Sequence, residues 1–111
     1  MSRHVLTLDL RDDPATIAAY REYHRQVWPE VLDSLRRAGV SSMDIRMHGR
    51  RLVMILELLD GLDVQRVFAA HVASHPRVRE WERMMSALQE RASDAPPGEW
   101  WAVMEPIFQF S

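Results

Sequence analysis

Tyr20 and His24 stand four residues apart in the stretch Tyr20-Arg-Glu-Tyr-His-Arg-Gln-Val-Trp28-Pro29-Glu30. In a helix, residues at i and i+4 project from the same face, so the phenol and the imidazole are placed together. Ile17 and Val27 lie on the same stripe, which sets the polar pair against apolar surroundings. A phenol with a pKa of about 10 is a hydrogen-bond donor at neutral pH, and an imidazole with a pKa of about 6.5 both gives and takes protons there. Together they are suited to moving protons on a small, uncharged substrate.

The elements that must position this pair follow from local signals. His4 to Leu10 is rich in β-branched and aliphatic residues and predicts a first strand. Asp12-Asp13-Pro14 is a helix start, a side-chain cap followed by Pro at the first helical position. That helix is expected to run to about Val27, because Pro29 biases Trp28 away from helical geometry. Pro29 then opens a second helical piece, Glu30 to Ala38, ending at Gly39. Met43, Ile45 and Met47 alternate with Asp44, Arg46 and His48, the period of a half-buried strand. Gly49 supplies a turn, and Leu52 to Leu59 reads as a more continuously apolar, central strand. Asp63 to His71 predicts a helix, and Pro76 opens another in which Val78, Trp81, Met85 and Leu88 share a face. Ser93 to Gly98 is a loop, and Trp101 to Phe110 is strand-like but interrupted at Pro106, which argues for an edge or a bulge.

The order is β-α-β-β-α-β, the ferredoxin-like α+β plan: an antiparallel sheet with helices on one face. The other face needs cover, and a second copy of the chain supplies it most simply, so a homodimer is expected. Residues 1–111 form one domain, with a core of modest size and little material for a cleft made by one protomer alone.

Composition narrows the chemistry. Apolar residues make up 47% and charged residues 27%, ordinary for a globular protein in water. The net charge of −2 gives no general attraction to nucleic acid or to an anionic membrane, and neither is expected as a partner. All 14 basic residues are Arg, so there is neither a Schiff-base lysine nor a phosphate-loop lysine. The absence of Cys removes disulfides, thiolate nucleophiles and thiolate-bound metals. No apolar run approaches the roughly 20 residues of a bilayer span, and the first residues do not form a signal core. A cytoplasmic location is the expectation.

Other conspicuous residues have plainer readings. His71 and His75 have i,i+4 spacing, but Pro76 follows directly and no third ligand is near in sequence, so no metal site is expected. Trp100 and Trp101, as consecutive strand residues, point to opposite faces: one covers the core and the other packs at a dimer contact. Arg50-Arg51 is a solvated turn, and the Met residues fill core gaps. By the same logic His24 is a satisfied core or interface histidine, Tyr20 a core aromatic with its hydroxyl at the surface, and Trp81 a core residue.

Against these stands a resemblance over nearly the whole chain. Tyr20-x-x-x-His24, Trp28-Pro29-Glu30, Leu56-Glu57-Leu58 at the end of a hairpin, Arg79-Glu80-Trp81, and a tail from Gly98-Glu99-Trp100-Trp101 through Met104-Glu105 to Phe108 resemble, in order and spacing, the L-rhamnose mutarotase family. The resemblance implies small dimeric α/β-barrel proteins that interconvert sugar anomers. It implies that His24 is the proton donor and that Tyr20 and Trp81 contact the sugar. Where the family has a second consecutive Trp this chain has Glu82, and where it has a strand Tyr this chain has Met43. Both are carried as substrate-binding positions that depart from the family pattern.

The chemistry so implied is mutarotation, in which a pyranose hemiacetal opens and recloses on the other face. It needs a group to take the proton from the anomeric hydroxyl and a group to protonate the ring oxygen, and no cofactor, metal or covalent intermediate. The expected substrate is a 6-deoxy-hexose such as L-rhamnose, or L-fucose. His24 is the expected acid/base, with Tyr20 orienting a hydroxyl or relaying a proton. Trp81 offers a ring face to the C–H side of the sugar, and Glu82 an acceptor for a sugar hydroxyl. Two readings stay open: a cofactor-free or haem-handling monooxygenase of the same fold, and a non-enzymatic dimeric binding module.

Overall fold

The computed structural model describes residues 1–111 and shows the expected order with its helices divided. The elements are β1 (Ser2–Leu10), α1 (Pro14–Tyr23), α2 (Pro29–Ala38), β2 (Val40–His48), β3 (Arg51–Leu58), α3 (Val64–Ala73), α4 (Pro76–Leu88), β4 (Gln89–Glu90) and β5 (Ala102–Val103). The antiparallel sheet runs β2-β3-β1-β4, with β5 also paired to β1. β3 is interior, as its apolar run requires. No helix is long and apolar enough to cross a membrane.

Helix starts follow side-chain chemistry. Asp13 accepts hydrogen bonds from Ala15 N and from the Thr16 hydroxyl, and Pro14 occupies the first turn where no N–H is needed. Asp63 caps α3 by accepting from Gln65 N. His75 caps α4, its Nδ1 accepting from Arg77 N at 3.0 Å, so a second imidazole is spent on the backbone. α2 ends at Gly39, whose φ of 105° lies in the left-handed region; a Cβ there would also run into the Leu62 side chain.

Alternation on the strands sorts the sheet into two faces. Leu6, Leu8, Leu10, Leu52, Met54, Leu56 and Leu58 are buried on the face that the helices cover. Removing a side chain such as Leu52, which is fully buried, would cost about 2–5 kcal/mol. Val5, Thr7, Val53 and Ile55 lie on the other face, with Asp44 and Arg46 beside them on β2, and no helix covers them.

Three expectations are corrected. α1 stops at Tyr23 rather than near Val27, because the last turn tightens: Arg25 N bonds Glu22 O and Gln26 N bonds Tyr23 O, while the carbonyl of Tyr20 accepts from both the backbone N–H and the ring of His24. The strand expected over Trp101 to Phe110 is only Ala102–Val103. Its last ladder bond runs from Met104 N to Val5 O, and Pro106 can donate none. The fourth strand position of the plan is therefore shared by β4 and β5, which bond successive segments of β1. Arg50 and Arg51 are not simply solvated; they pair with Glu90 and Asp9 and tie the hairpin end to β1 and β4.

Candidate active site

His24 closes α1. Its Nδ1 lies 2.8 Å from the carbonyl oxygen of Tyr20, and because a carbonyl only accepts, Nδ1 carries the hydrogen. In the neutral ring the lone pair is therefore on Nε2, which has no protein partner. Burial pushes the His24 pKa below its ordinary value, and the bond to the Tyr20 carbonyl offsets part of that. At neutral pH the ring is uncharged and Nε2 is a base.

Tyr20 lies directly against this ring, the two centroids 4.3 Å apart and the planes 29° from parallel. The phenol is buried, and its oxygen accepts a long bond of 3.5 Å from Gln89 Nε2. Burial pushes its pKa up to about 12; the Gln89 contact opposes this and the charge of Glu82 adds to it. Tyr20 keeps its proton and is a donor.

Trp81 forms the adjoining wall. Its ring meets His24 edge-on at 5.5 Å, Trp28 at 5.2 Å and Tyr23 at 6.3 Å, and the Arg77 guanidinium sits 3.7 Å over Trp28. Trp81 is only 4% exposed and belongs to the core group with Leu8, Leu10 and Tyr20. The core reading and the wall reading both hold for it.

These residues border one cavity of about 730 Å³ between the helices and the sheet, a volume within the range of small-molecule sites. Met43, Ile45, Met47, Leu52 and Met54 give it an apolar floor, and α1, α2, α3, α4 and the segment before β5 complete it. All five residues singled out in the sequence, Tyr20, His24, Met43, Trp81 and Glu82, line this cavity. Met43 is half-buried on the floor, and Glu82 stands half-exposed beside Trp81.

Of the further lining residues, which the sequence did not mark as site residues, four stand out. Gln89 follows α4 and reaches the Tyr20 hydroxyl, a contact 69 positions apart that no local pattern encodes. Trp100 and Trp101 both line the cavity, because the backbone there is irregular rather than extended and the two-face rule does not apply. His71 is the fourth. Its i,i+4 spacing with His75 is that of a metal-binding pair, but the two rings serve different partners: His75 caps α4, and His71 Nδ1 shares a 2.7 Å hydrogen bond with Ser34 Oγ. No three His, Cys, Asp or Glu side chains converge as a metal cage. His71 Nε2 lies 3.7 Å from Glu82 Oε1.

The chain matches known proteins over its whole length. A family model described as L-rhamnose mutarotase matches residues 3–110. An L-fucose mutarotase of Xanthomonas campestris pv. campestris is 40% identical, the match covering 100% of this chain and 90% of that protein. A crystal structure of an L-rhamnose mutarotase from Formosa agariphila superposes with a TM-score of 0.69 at 21% identity, covering 100% of both chains. A crystal structure of an antibiotic biosynthesis monooxygenase superposes with a TM-score of 0.56 at 15% identity, covering 96% of this chain and 99% of that one, so the fold is common to different chemistries.

Proposed function

The chain belongs to the L-rhamnose mutarotase family, and from that premise we propose that it is an isomerase interconverting the α and β anomers of a 6-deoxy-hexose pyranose, L-fucose or L-rhamnose. The observation that carries the mechanism is the bond from His24 Nδ1 to the Tyr20 carbonyl, which leaves a basic, unpartnered Nε2 on a residue lining the cavity. Nε2 takes the proton of the anomeric hydroxyl as the O1 electrons form the carbonyl and the C1–O5 bond breaks toward the ring oxygen. The imidazolium so formed delivers that proton to the ring oxygen, which shares the same carbon. Rotation about C1–C2 and the reverse steps give the other anomer, with no net change in protons.

Tyr20, holding its proton, donates to a sugar oxygen and orients it. Trp81 presents an apolar surface to the C–H side of the ring. The floor of Met43, Ile45 and Met54 offers apolar contact to a C6 methyl rather than a partner for a C6 hydroxyl.

We further propose a homodimer. Ile107, Phe108 and Phe110 are 91%, 82% and 89% exposed in the single chain, and the half-buried Val5, Val53 and Ile55 form an apolar strip on the sheet face away from the helices. A symmetric pairing of these surfaces supplies their cover. Sedimentation velocity giving twice the chain mass supports this; the chain mass alone at micromolar concentration rejects it.

The mutarotase reading is tested by two-dimensional NMR exchange between the α and β anomeric protons of L-fucose and L-rhamnose. Exchange cross-peaks with wild type that disappear with His24→Ala support it. Their absence with folded wild type for every 6-deoxy sugar tried sinks it, and oxygen uptake with a quinol would then be the next assay.

A further inference from the structure

Four polar residues are buried in the fold: Thr16, Ser34, His71 and Gln89. Three of them are satisfied by their neighbours. Thr16 Oγ1 donates to Asp13 at 3.0 Å, and Ser34 Oγ and His71 Nδ1 share a hydrogen bond of 2.7 Å. Gln89, only 7% exposed, is different: its side chain has one contact, from Nε2 to the Tyr20 hydroxyl oxygen at 3.5 Å. That is longer than an N–H···O bond of ordinary strength, and a carboxamide has two N–H donors and a carbonyl oxygen to place. Glu30 Oε2 is the one sealed side-chain atom without a partner, so the Gln89 oxygen is not sealed; it opens to the cavity that Gln89 lines. A buried amide this short of partners is costly unless something in the cavity completes it.

The amide has a firm mounting. Gln89 N donates to Ser86 O at the end of α4, Arg11 N donates to Leu88 O at 3.0 Å, and Gln89 stands opposite Leu10 in the β1–β4 ladder. The proton positions then follow. Gln89 Nε2–H donates to the phenol oxygen, and the phenol hydrogen has no protein acceptor. One guest hydroxyl closes the circuit by accepting from the Tyr20 O–H and donating to Gln89 Oε1. Every hydrogen points the same way round, an arrangement in which each bond strengthens the next. A methyl group can play neither part, and an ether oxygen only one. The anomeric hydroxyl gives its hydrogen to His24 Nε2, so the hydroxyl that donates to Gln89 belongs to another sugar carbon.

We infer that Gln89 is a specificity-determining substrate contact that, with Tyr20, reads one non-anomeric hydroxyl of the sugar as both acceptor and donor. The inference rests on the mutarotase reading for its substrate class. Gln89 also positions Tyr20, because an N–H on the phenol oxygen leaves the phenol hydrogen for the sugar. A sugar with no hydroxyl at that place leaves phenol and amide buried and unpaired, which is how such a pair discriminates.

The test uses L-fucose, L-rhamnose and monodeoxy analogues of whichever the wild type prefers. Exchange NMR gives KM and kcat, and quenching of tryptophan fluorescence gives Kd. Gln89→Met keeps the length of the side chain without the amide, and is expected to raise KM and Kd for the preferred sugar about tenfold. One particular monodeoxy analogue should cost wild type a similar factor and Gln89→Met almost nothing. Tyr20→Phe combined with Gln89→Met should lose little more than the worse single variant, because both act on one hydroxyl. Gln89→Glu keeps the packing volume but accepts the phenol hydrogen for itself, and should lose the contribution of that same hydroxyl. An unchanged Kd in both Gln89 variants, or deoxy losses that are the same in wild type and variants, overturns the subsite. Wild type that binds a sugar with this pattern but shows no anomeric exchange overturns only the mutarotase reading.

Discussion

His24 donates its Nδ1–H to the carbonyl of Tyr20, the residue on whose ring its own ring is stacked. One contact thus fixes the tautomer and the orientation of the ring together. It converts the i,i+4 spacing of two side chains into a base, Nε2, next to a protonated phenol.

Replacing His24 by Ala is expected to lower enzyme-catalysed anomer exchange by about 10²–10⁴-fold, the usual contribution of a positioned acid/base group. The stability loss should be about 1–3 kcal/mol, because a hydrogen bond and the packing of the ring on Tyr20 and Trp81 are removed while the backbone turn remains. Exchange NMR together with urea unfolding separates the two effects. A fully active His24→Ala protein would remove His24 from the mechanism.

The pH dependence follows from the direction of the His24 shift. Nε2 must be unprotonated in the free enzyme, so kcat/KM should rise with pH on an acid limb whose midpoint lies below 6.5, and be level through neutrality. The Tyr20 phenol, held at about 12, contributes no falling limb in the neutral range. For stability the sign is the same. Below 6.5 the unfolded chain binds the His24 proton more readily than the folded chain, so this group lowers stability as pH falls there and is neutral above it. A midpoint above 7 for the acid limb would contradict the assignment, after subtraction of the uncatalysed exchange.

Tyr20→Phe removes the phenolic donor and keeps the stacked ring. Exchange should fall about tenfold, the worth of one hydrogen bond to substrate. The long contact to Gln89 means that stability should change by less than about 1.5 kcal/mol. The pH midpoint should stay where wild type has it, because the His24 tautomer is set by the Tyr20 backbone and not by its hydroxyl. A displaced midpoint would show instead that the phenol shares the titrating proton.

Trp81 serves core and cavity at once, so its truncation should damage both. Trp81→Ala is expected to cost about 3–5 kcal/mol of stability, as for other buried aromatic truncations. Trp81→Phe keeps most of the packing against His24 and Trp28 and should unfold at a temperature much closer to wild type, with a raised KM. Calorimetry beside exchange kinetics reads both quantities. Equal stability of the two variants would show that Trp81 is wall only.

Much was legible in the chain itself. Capping residues, prolines and strand alternation marked the elements, since each depends on neighbours within a few positions. Tyr20 and His24 could be placed together for the same reason: helical geometry brings i and i+4 side by side whatever the rest of the fold does. Trp81, Met43 and Glu82 came from the family resemblance, and the structure sets all five around one cavity. The end of α1 was misread because its last turn tightens to i→i−3 bonds several residues before Pro29, which no local pattern marks, and the C-terminal strand because strand length depends on a partner edge.

Tertiary structure decided what the spacing could not express. Ser34, His71 and Glu82 come from α2, α3 and α4, and Gln89 meets Tyr20 from the far side of the chain. Such groups converge only when helices pack on the sheet, through contacts between residues with no fixed separation in sequence. The sequence by itself determined which residues could transfer a proton and that two of them share a helix face. Which nitrogen of His24 is basic, and which distant side chains close the site around it, was decided by packing, because tautomer and pKa depend on the partners and the burial that only the folded chain provides.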